Sequence, residues 1–169
     1  DHDISCSNIY GHGYLTTGQA LMKSCNSALM QMAERIGIED FRNYMRIYNF
    51  GQKTGIDLPG EAAGLLLDAS EMTVTDLATY SFGQGFTGTM IQVASGFCSL
   101  INGGTYYQPR VVEKIVDGSG ATVQTMEPVV MKKTISENTS AQIREYLYET
   151  VAGDGVMTGT GATAAVEGY

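Results

Sequence analysis

Long apolar runs are missing from this sequence. Nowhere in its 169 residues does a stretch approach the roughly 20 apolar residues of a membrane span. A basic-then-apolar leader is missing too: the first residues are Asp1-His2-Asp3, without an initiator Met. Basic residues are scarce. Ten Lys and Arg face eighteen Asp and Glu, for a net charge of -8, and Lys132-Lys133 is the one adjacent basic pair. Phosphate neutralisation needs clustered cations, so this balance argues against nucleic-acid binding and against docking on an anionic membrane. Cysteine is sparse and odd in number, with Cys6, Cys25 and Cys98 far apart, which is no disulfide framework. No C-x-x-C occurs, and with His2 and His12 the only histidines a closed Cys/His zinc site is left open but is not the expectation. Cys98 lies in an apolar run and reads as a small core residue.

What is present describes one folded domain. Hydrophobic residues make up 43% and charged residues 17% of the chain, too apolar for disorder and long enough for a real core. Glycine, 21 residues in all, punctuates the chain without a G-X-Y period. Thr16-x-x-Gln19 has capping-box spacing before Ala20-Leu21-Met22, predicting a helix start. Ser24-Cys25-Asn26-Ser27 then break that helix, and Leu29, Met32, Ala33 and Ile36 carry a second one up to Gly37. Phe41, Tyr44, Met45 and Tyr48 repeat the helical spacing. A loop follows over 51–70, then a short helix over 73–82 stopped by Gly83-Gln84-Gly85. Thr89-x-x-Gln92 opens a helix expected to be buried, with Ile91, Ala94, Cys98 and Ile101 on one face. Val111 to Val116, then Asp117-Gly118-Ser119-Gly120 and Ala121 to Val123, read as a hairpin. Leu29, Met32, Ile36, Phe41, Met45, Ala94 and Cys98 are the predicted core.

The chemistry-bearing candidates are Ser24 and Asn26. Two apart on a break between helices, they can both face one cleft. A hydroxyl both donates and accepts, so Ser24 can pass a proton, and the Asn26 amide can hold a substrate amide from both sides. The same two residues can equally cap the following helix. Gln84, between two glycines, lines a cleft or only stops a helix. Asp57 and Glu61, four apart on a Pro/Gly loop, read as capping and solvated groups.

The run Gly18 to Asn26 resembles the stretch around the S-x-N motif of class B penicillin-binding proteins, the D,D-transpeptidases that cross-link peptidoglycan. Four further stretches fall in that family's order. Thr54-Gly55-Ile56-Asp57-Leu58-Pro59-Gly60-Glu61 resembles its T-G-I-D-L-P-G-E loop, and Ser81 to Gly85 its S-x-G-Q-G segment. Thr89 to Gln92 with Asn102-Gly103-Gly104 resembles its T-P-x-Q helix, with Met90 where Pro is usual. Thr158 to Ala164 resembles the G-T-G/A-x-x-A stretch before its third motif. Cys6 and Gly11-His12-Gly13 look most like the sporulation-type Gram-positive branch.

The family's catalytic set is S-x-x-K, S-x-N and K-T-G. No Ser here has a Lys three residues later. Lys53-Thr54-Gly55 spells the third motif, but it runs into a Pro-containing loop without strand pattern and reads as a loop segment. The chain is therefore expected to lie between the first and third motifs and to be catalytically incompetent by itself.

By the resemblance, the fold class is α+β: an incomplete transpeptidase domain, mainly the helical lobe plus a β-hairpin. Its expected parts are a loop over 1–15, the helical lobe over 16–104, the hairpin over 105–127, a helix over 136–152 and a segment over 153–169. Ser24 and Asn26 would be the catalytic pair, with Gln84 beside them against substrate. Ser24 would relay a proton between the two family lysines, and Asn26 would hold the substrate amide. The implied partners of the intact protein are a peptidoglycan stem peptide, β-lactams and cell-wall synthesis proteins, acting on the extracytoplasmic face of the membrane. No metal or organic cofactor is implied. Exposed core surface is expected to drive self-association. The alternative reading is a non-catalytic β-lactam or muropeptide sensor, or a scaffold domain of a cell-wall complex.

Overall fold

The computed structural model describes residues 3–168; His2 and Tyr169 lie outside the described residues. The architecture is α+β, with two compact units built from interleaved parts of the chain. The first unit takes in the chain up to Asn43, then Leu67–Phe86, then Ala141 onward. The second takes in Tyr44–Leu66 and Thr87–Ser140.

The first unit is helical. Helix α1 (Thr17–Met22) begins where Thr16 forms a capping box with Gln19, as the spacing predicts. Helix α2 (Asn26–Ile36) follows and stops at Gly37, which has a positive φ of 80°. Helix α3 (Ile38–Ile47) carries Glu39 and Asp40 in its first turn, where the helix dipole favours them. Helix α4 (Val74–Ser81) starts on a second capping box, Thr73 with Asp76, and packs against α2. Asp76 sits below the usual carboxylate range because the Thr73 hydroxyl and backbone N–H both donate to it. Buried Ala20, Met22, Ala33, Leu77 and Tyr80 form the core of this unit. Arg42, also buried, reaches from α3 to the Leu67 carbonyl and to Asp68.

The second unit combines α5 (Met90–Ile101) with four short strands: β1 (Thr105–Tyr107), β2 (Lys114–Val116), β3 (Thr122–Thr125) and β4 (Val130–Lys133). Strands β2 and β3 form the expected hairpin, antiparallel and solvent-exposed throughout. Asp117 shapes its turn by accepting from the Ser119 and Ala121 backbone N–H groups at 2.8 and 3.0 Å. Val111 and Val112 stay outside the hairpin because the Asp57 carboxylate takes their N–H groups at 2.7 and 2.9 Å. Strand β4 pairs with β1, antiparallel, with Tyr106 opposite Lys132. The sequence predicts no strand over 130–133, and residues 105–107, expected within the hairpin over 105–127, pair with that strand instead of with the hairpin. Tyr106 is fully buried, and the Lys132 ammonium lies 5.3 Å from its ring centre.

The Gln of the second predicted capping box is the hub of this unit. Gln92 is fully buried. Its side-chain amide donates to the carbonyls of Asn49, Gln52 and Ala63 at 3.0, 2.6 and 2.8 Å. Its oxygen accepts from Thr89 N–H at 2.8 Å. Glu61 works the same way on a smaller scale, taking the Thr54 N–H and hydroxyl and the Gly55 N–H. Lys53-Thr54-Gly55 lies in this loop and not on a strand.

The predicted core needs correction at three positions. Ala94 and Cys98 are exposed, and the buried face of α5 is instead Gln92, Gly96 and Ser99. Hydrogen bonds and close approach decide that face: Ser99 bonds Gly96 and Thr134, and Gly96 lies against Tyr48. The apolar stripe, though richer in hydrophobic residues, points outward. Ile36 is exposed as well, at the last helical position before the chain turns away at Gly37. Leu29, Met32, Phe41 and Met45 are half-buried. The final helix, α6 (Glu137–Ala152), meets its expected span and ends in a Gly-rich segment with one 3-10 turn at Ala162–Ala164.

Candidate functional site

Ser24, Asn26 and Gln84 all belong to the first unit. The end of α1 places Ser24. The Ser24 N–H donates to Leu21 O at 2.9 Å and the Cys25 N–H to Ala20 O at 3.0 Å. That pair of bonds is the Schellman ending, which requires a left-handed residue between them. Glycine is the usual occupant, yet here the position is Ser24, with φ of 47°. A side chain in that conformation costs about 1–2 kcal/mol. Ser24 is exposed, and its hydroxyl makes no hydrogen bond among the described residues.

Helix α4 ends with the same two bonds, Gly83 to Tyr80 and Gln84 to Thr79, both at 3.0 Å. There the left-handed position is Gly83, with φ of 87°. Gln84 is exposed, so the helix stop and an outward-facing amide are both realised. Gln84 makes no hydrogen bond with Ser24 or Asn26 among the described residues.

Asn26 is the first residue of α2, and the N-cap is Cys25, which makes no side-chain capping bond. Neither Ser24 nor Asn26 caps the helix, which removes the bland explanation of the pair. Asn26 is half-buried and its amide donates to Ser5 O at 3.4 Å.

The segment after α6 is stitched to α1 and its C-cap, within the five residues before Ser24. The Gln19 amide donates to Asp154 at 2.8 Å, the Lys23 ammonium to Thr158 O at 2.6 Å, and Thr160 N–H to Met22 O at 3.0 Å. Asp154 also accepts the Val156 and Met157 N–H groups. Led by the Gln19 bond, these donors pull its carboxyl down to about 2. The glycines of this segment follow from close approach. A Cβ on Gly159 would lie inside contact distance of the Thr150 carbonyl, which Gly161 N–H already engages at 3.0 Å. Gly18 is similarly confined, 2.8 Å from the Tyr146 ring if given a Cβ.

Sequence reasoning missed one cluster. Cys6, His12 and Cys25 converge, with their donor atoms all within 4.8 Å of one another. Cys6 Sγ and His12 Nδ1 are 3.6 Å apart, and both cysteines are buried. The Cys6 thiol is held below its ordinary value, first by the Asn8 backbone N–H and then by that of Asn26, against the opposing effect of burial. The only sequence signal is a histidine six residues after a cysteine, which is too common to weigh.

Comparison with known proteins is consistent across three measures. The family model described as penicillin binding protein transpeptidase domain matches residues 2–169. The chain is 40% identical over 167 residues to stage V sporulation protein D of Bacillus subtilis, covering 98% of this chain and 25% of that protein. It is 32% identical over 171 residues to penicillin-binding protein PbpB of Mycolicibacterium smegmatis, covering 98% of this chain and 26% of that one. The structure superposes on penicillin-binding protein 3 of Mycobacterium tuberculosis, complexed with aztreonam, with a TM-score of 0.81 at 31% identity. That match covers 91% of this chain and 35% of the other. The chain thus spans about a quarter of the length of the curated relatives it matches.

Proposed function

Because this chain belongs to the penicillin-binding protein transpeptidase family, we propose that it forms the S-x-N portion of a peptidoglycan D,D-transpeptidase that works through an acyl-serine intermediate. In that reading a serine supplied from outside this chain attacks the D-Ala-D-Ala peptide carbonyl, with the S-x-x-K lysine as base. The tetrahedral intermediate collapses, the terminal D-Ala leaves as an amine, and the acyl-serine remains. Ser24 carries the proton from the lysine toward the departing amine. An amine of a second stem peptide then attacks the acyl-serine, and the cross-link forms as the serine is released. Asn26 holds the amide of the acyl donor, and Gln84 contacts substrate at the edge of the cleft. β-Lactams follow the first half of this path and stall as the acyl-serine. The work is extracytoplasmic, where peptidoglycan is.

The observation that carries this reading is the posture of Ser24. A strained, exposed hydroxyl one residue before a buried N-cap serves no structural bond. Strain of that kind concentrates where geometry is used. The chain as it stands holds no S-x-x-K serine, so by itself it does not acylate.

Fluorescent penicillin with intact-mass readout tests both halves. The chain alone is expected to carry no adduct, and the full-length protein one β-lactam per molecule. In the full-length protein, Ser24→Ala is expected to slow acylation by about 10²–10⁴-fold with the fold intact. Acylation of the chain alone, or an unchanged rate in Ser24→Ala, would overturn the assignment.

A further inference from the structure

We propose that Lys23 is a positioning residue for the Ser24 hydroxyl, acting by tying the end of α1 to the segment after α6. The inference rests on the reading of Ser24 as the proton relay. It starts from the backbone. Ser24 has a φ of 47°. A side-chain-bearing residue stays in that conformation only where its surroundings fix it from more than one side. From inside the helix the bonds are plain. Lys23 N–H donates to Gln19 O at 2.9 Å, Ser24 N–H to Leu21 O at 2.9 Å and Cys25 N–H to Ala20 O at 3.0 Å. These use the carbonyls of Gln19, Ala20 and Leu21. The carbonyl of Met22, the last helical residue, is left over, as helix ends require. Thr160 N–H takes it from outside at 3.0 Å.

Lys23 supplies the second outside bond. It is the C-cap of α1, with φ of -88° and ψ of -6°. Its ammonium donates to Thr158 O at 2.6 Å, a charge-assisted bond. Lys23 is half-buried and makes no ion pair among the described residues, so the Thr158 carbonyl is the group its charge meets. Thr158 and Thr160 flank Gly159, and their two bonds grip the two residues immediately before Ser24. Without that grip the turn relaxes toward the right-handed region that serine prefers, and the hydroxyl swings with it.

The gripping segment is itself fixed. Gly153 N–H donates to Glu149 O at 2.7 Å, and the Asp154 carboxylate accepts Val156 and Met157 N–H at 2.9 and 2.7 Å. Buried Gly159 lies against the Thr150 carbonyl, which Gly161 N–H engages at 3.0 Å. The end of α6 thus anchors the segment, and the segment holds the end of α1. Lys23 touches no reacting atom in this scheme; it sets where the Ser24 hydroxyl points.

Penicillin acylation of the full-length protein tests this, with Lys23→Met, Lys23→Arg, Ser24→Ala and the double variant Lys23→Met/Ser24→Ala. Titration with excess penicillin counts the competent molecules, so each rate is per folded site. Lys23→Met is expected to lower the saturating acylation rate by about 3–10-fold, the range of one net hydrogen bond, with the half-saturating concentration unchanged. Lys23→Arg, which keeps a charged donor, is expected to stay within about twofold of wild type. In the Ser24→Ala background Lys23→Met is expected to have no further effect, because its action passes through that hydroxyl. Amide hydrogen exchange at Ser24 and Cys25 is expected to quicken in Lys23→Met. A Lys23→Met protein at the wild-type rate beside a slow Ser24→Ala would overturn this inference alone. So would a Lys23→Met effect that persists in full without the Ser24 hydroxyl, or a Lys23→Arg as slow as Lys23→Met. An unchanged rate in Ser24→Ala would overturn the relay reading, and this inference with it.

Discussion

Asp154 accepts a 2.8 Å hydrogen bond from the side-chain amide of Gln19, 135 residues earlier in the chain. Gln19 is also the last residue of the Thr16-x-x-Gln19 capping box that starts α1, its oxygen accepting Thr16 N–H at 3.1 Å. One side chain therefore fixes both the beginning of α1 and the segment that follows α6.

This contact predicts a pH dependence. The Asp154 carboxyl is lowered from 3.8 to about 2, so the unfolded chain binds the proton more readily than the folded one. Stability from this group is full above about pH 4, declines as pH falls, and is gone below about pH 2. Asp154→Ala is expected to lower the unfolding temperature at neutral pH. The gap to wild type should close as thermal scans are run downward through that window. A gap that stays constant from pH 7 to pH 2 would refute the assignment.

Ser24 predicts a trade of stability against chemistry. Its left-handed backbone suits glycine, so Ser24→Gly is expected to stabilise the chain by about 0.5–1 kcal/mol once glycine's entropy is counted. The same change removes the hydroxyl proposed as the relay and should slow acylation in the full-length protein as Ser24→Ala is expected to. Chemical denaturation and penicillin acylation, run on one pair of proteins, measure both sides.

Gly159 predicts a steric limit. Its missing Cβ leaves room for the Thr150 carbonyl, so Gly159→Ala forces the 153–161 segment off the end of α6. A loss of about 1–3 kcal/mol is expected. Faster hydrogen exchange at Thr160 and Gly161 N–H, which bond Met22 and Thr150, would localise the damage.

Gln92 predicts the largest effect. Gln92→Glu keeps the shape but replaces the NH2 group, leaving the carbonyls of buried Asn49, half-buried Ala63 and exposed Gln52 facing a carboxylate. A cost of about 2–3 kcal/mol is expected, because the buried carboxylate and the orphaned Asn49 carbonyl each carry a desolvation penalty. A denaturation midpoint equal to wild type would show that water or another donor replaces the amide.

Much of this protein was legible from sequence because much of it is local. Thr16 and Thr89 start their helices through bonds to residues three positions on, and Gly37 and Gly83 stop theirs through backbone geometry. Such effects reach no further than one turn, so spacing alone displays them. The Asp117 turn of the β2–β3 hairpin belongs to the same class. The family likeness was legible for a different reason, through motifs in a fixed order, Ser24-Cys25-Asn26 among them, and the family match bears that likeness out.

Which face of a helix is covered was not legible. On α5 the apolar stripe through Ala94 and Cys98 is the stronger pattern, yet the buried side is Gln92, Gly96 and Ser99. Periodicity reports that two faces differ, and hydrogen-bond partners 29 to 43 residues away decided which one is satisfied inside. The meeting of Cys6 and His12 with Cys25 likewise depends on a loop folding back over the start of α2, which no short-range rule encodes. By itself the sequence determined where helices begin and end and which motifs they carry, because those bonds close within a turn. Only the tertiary structure decided what is buried and what meets, because those contacts join residues that the chain keeps far apart.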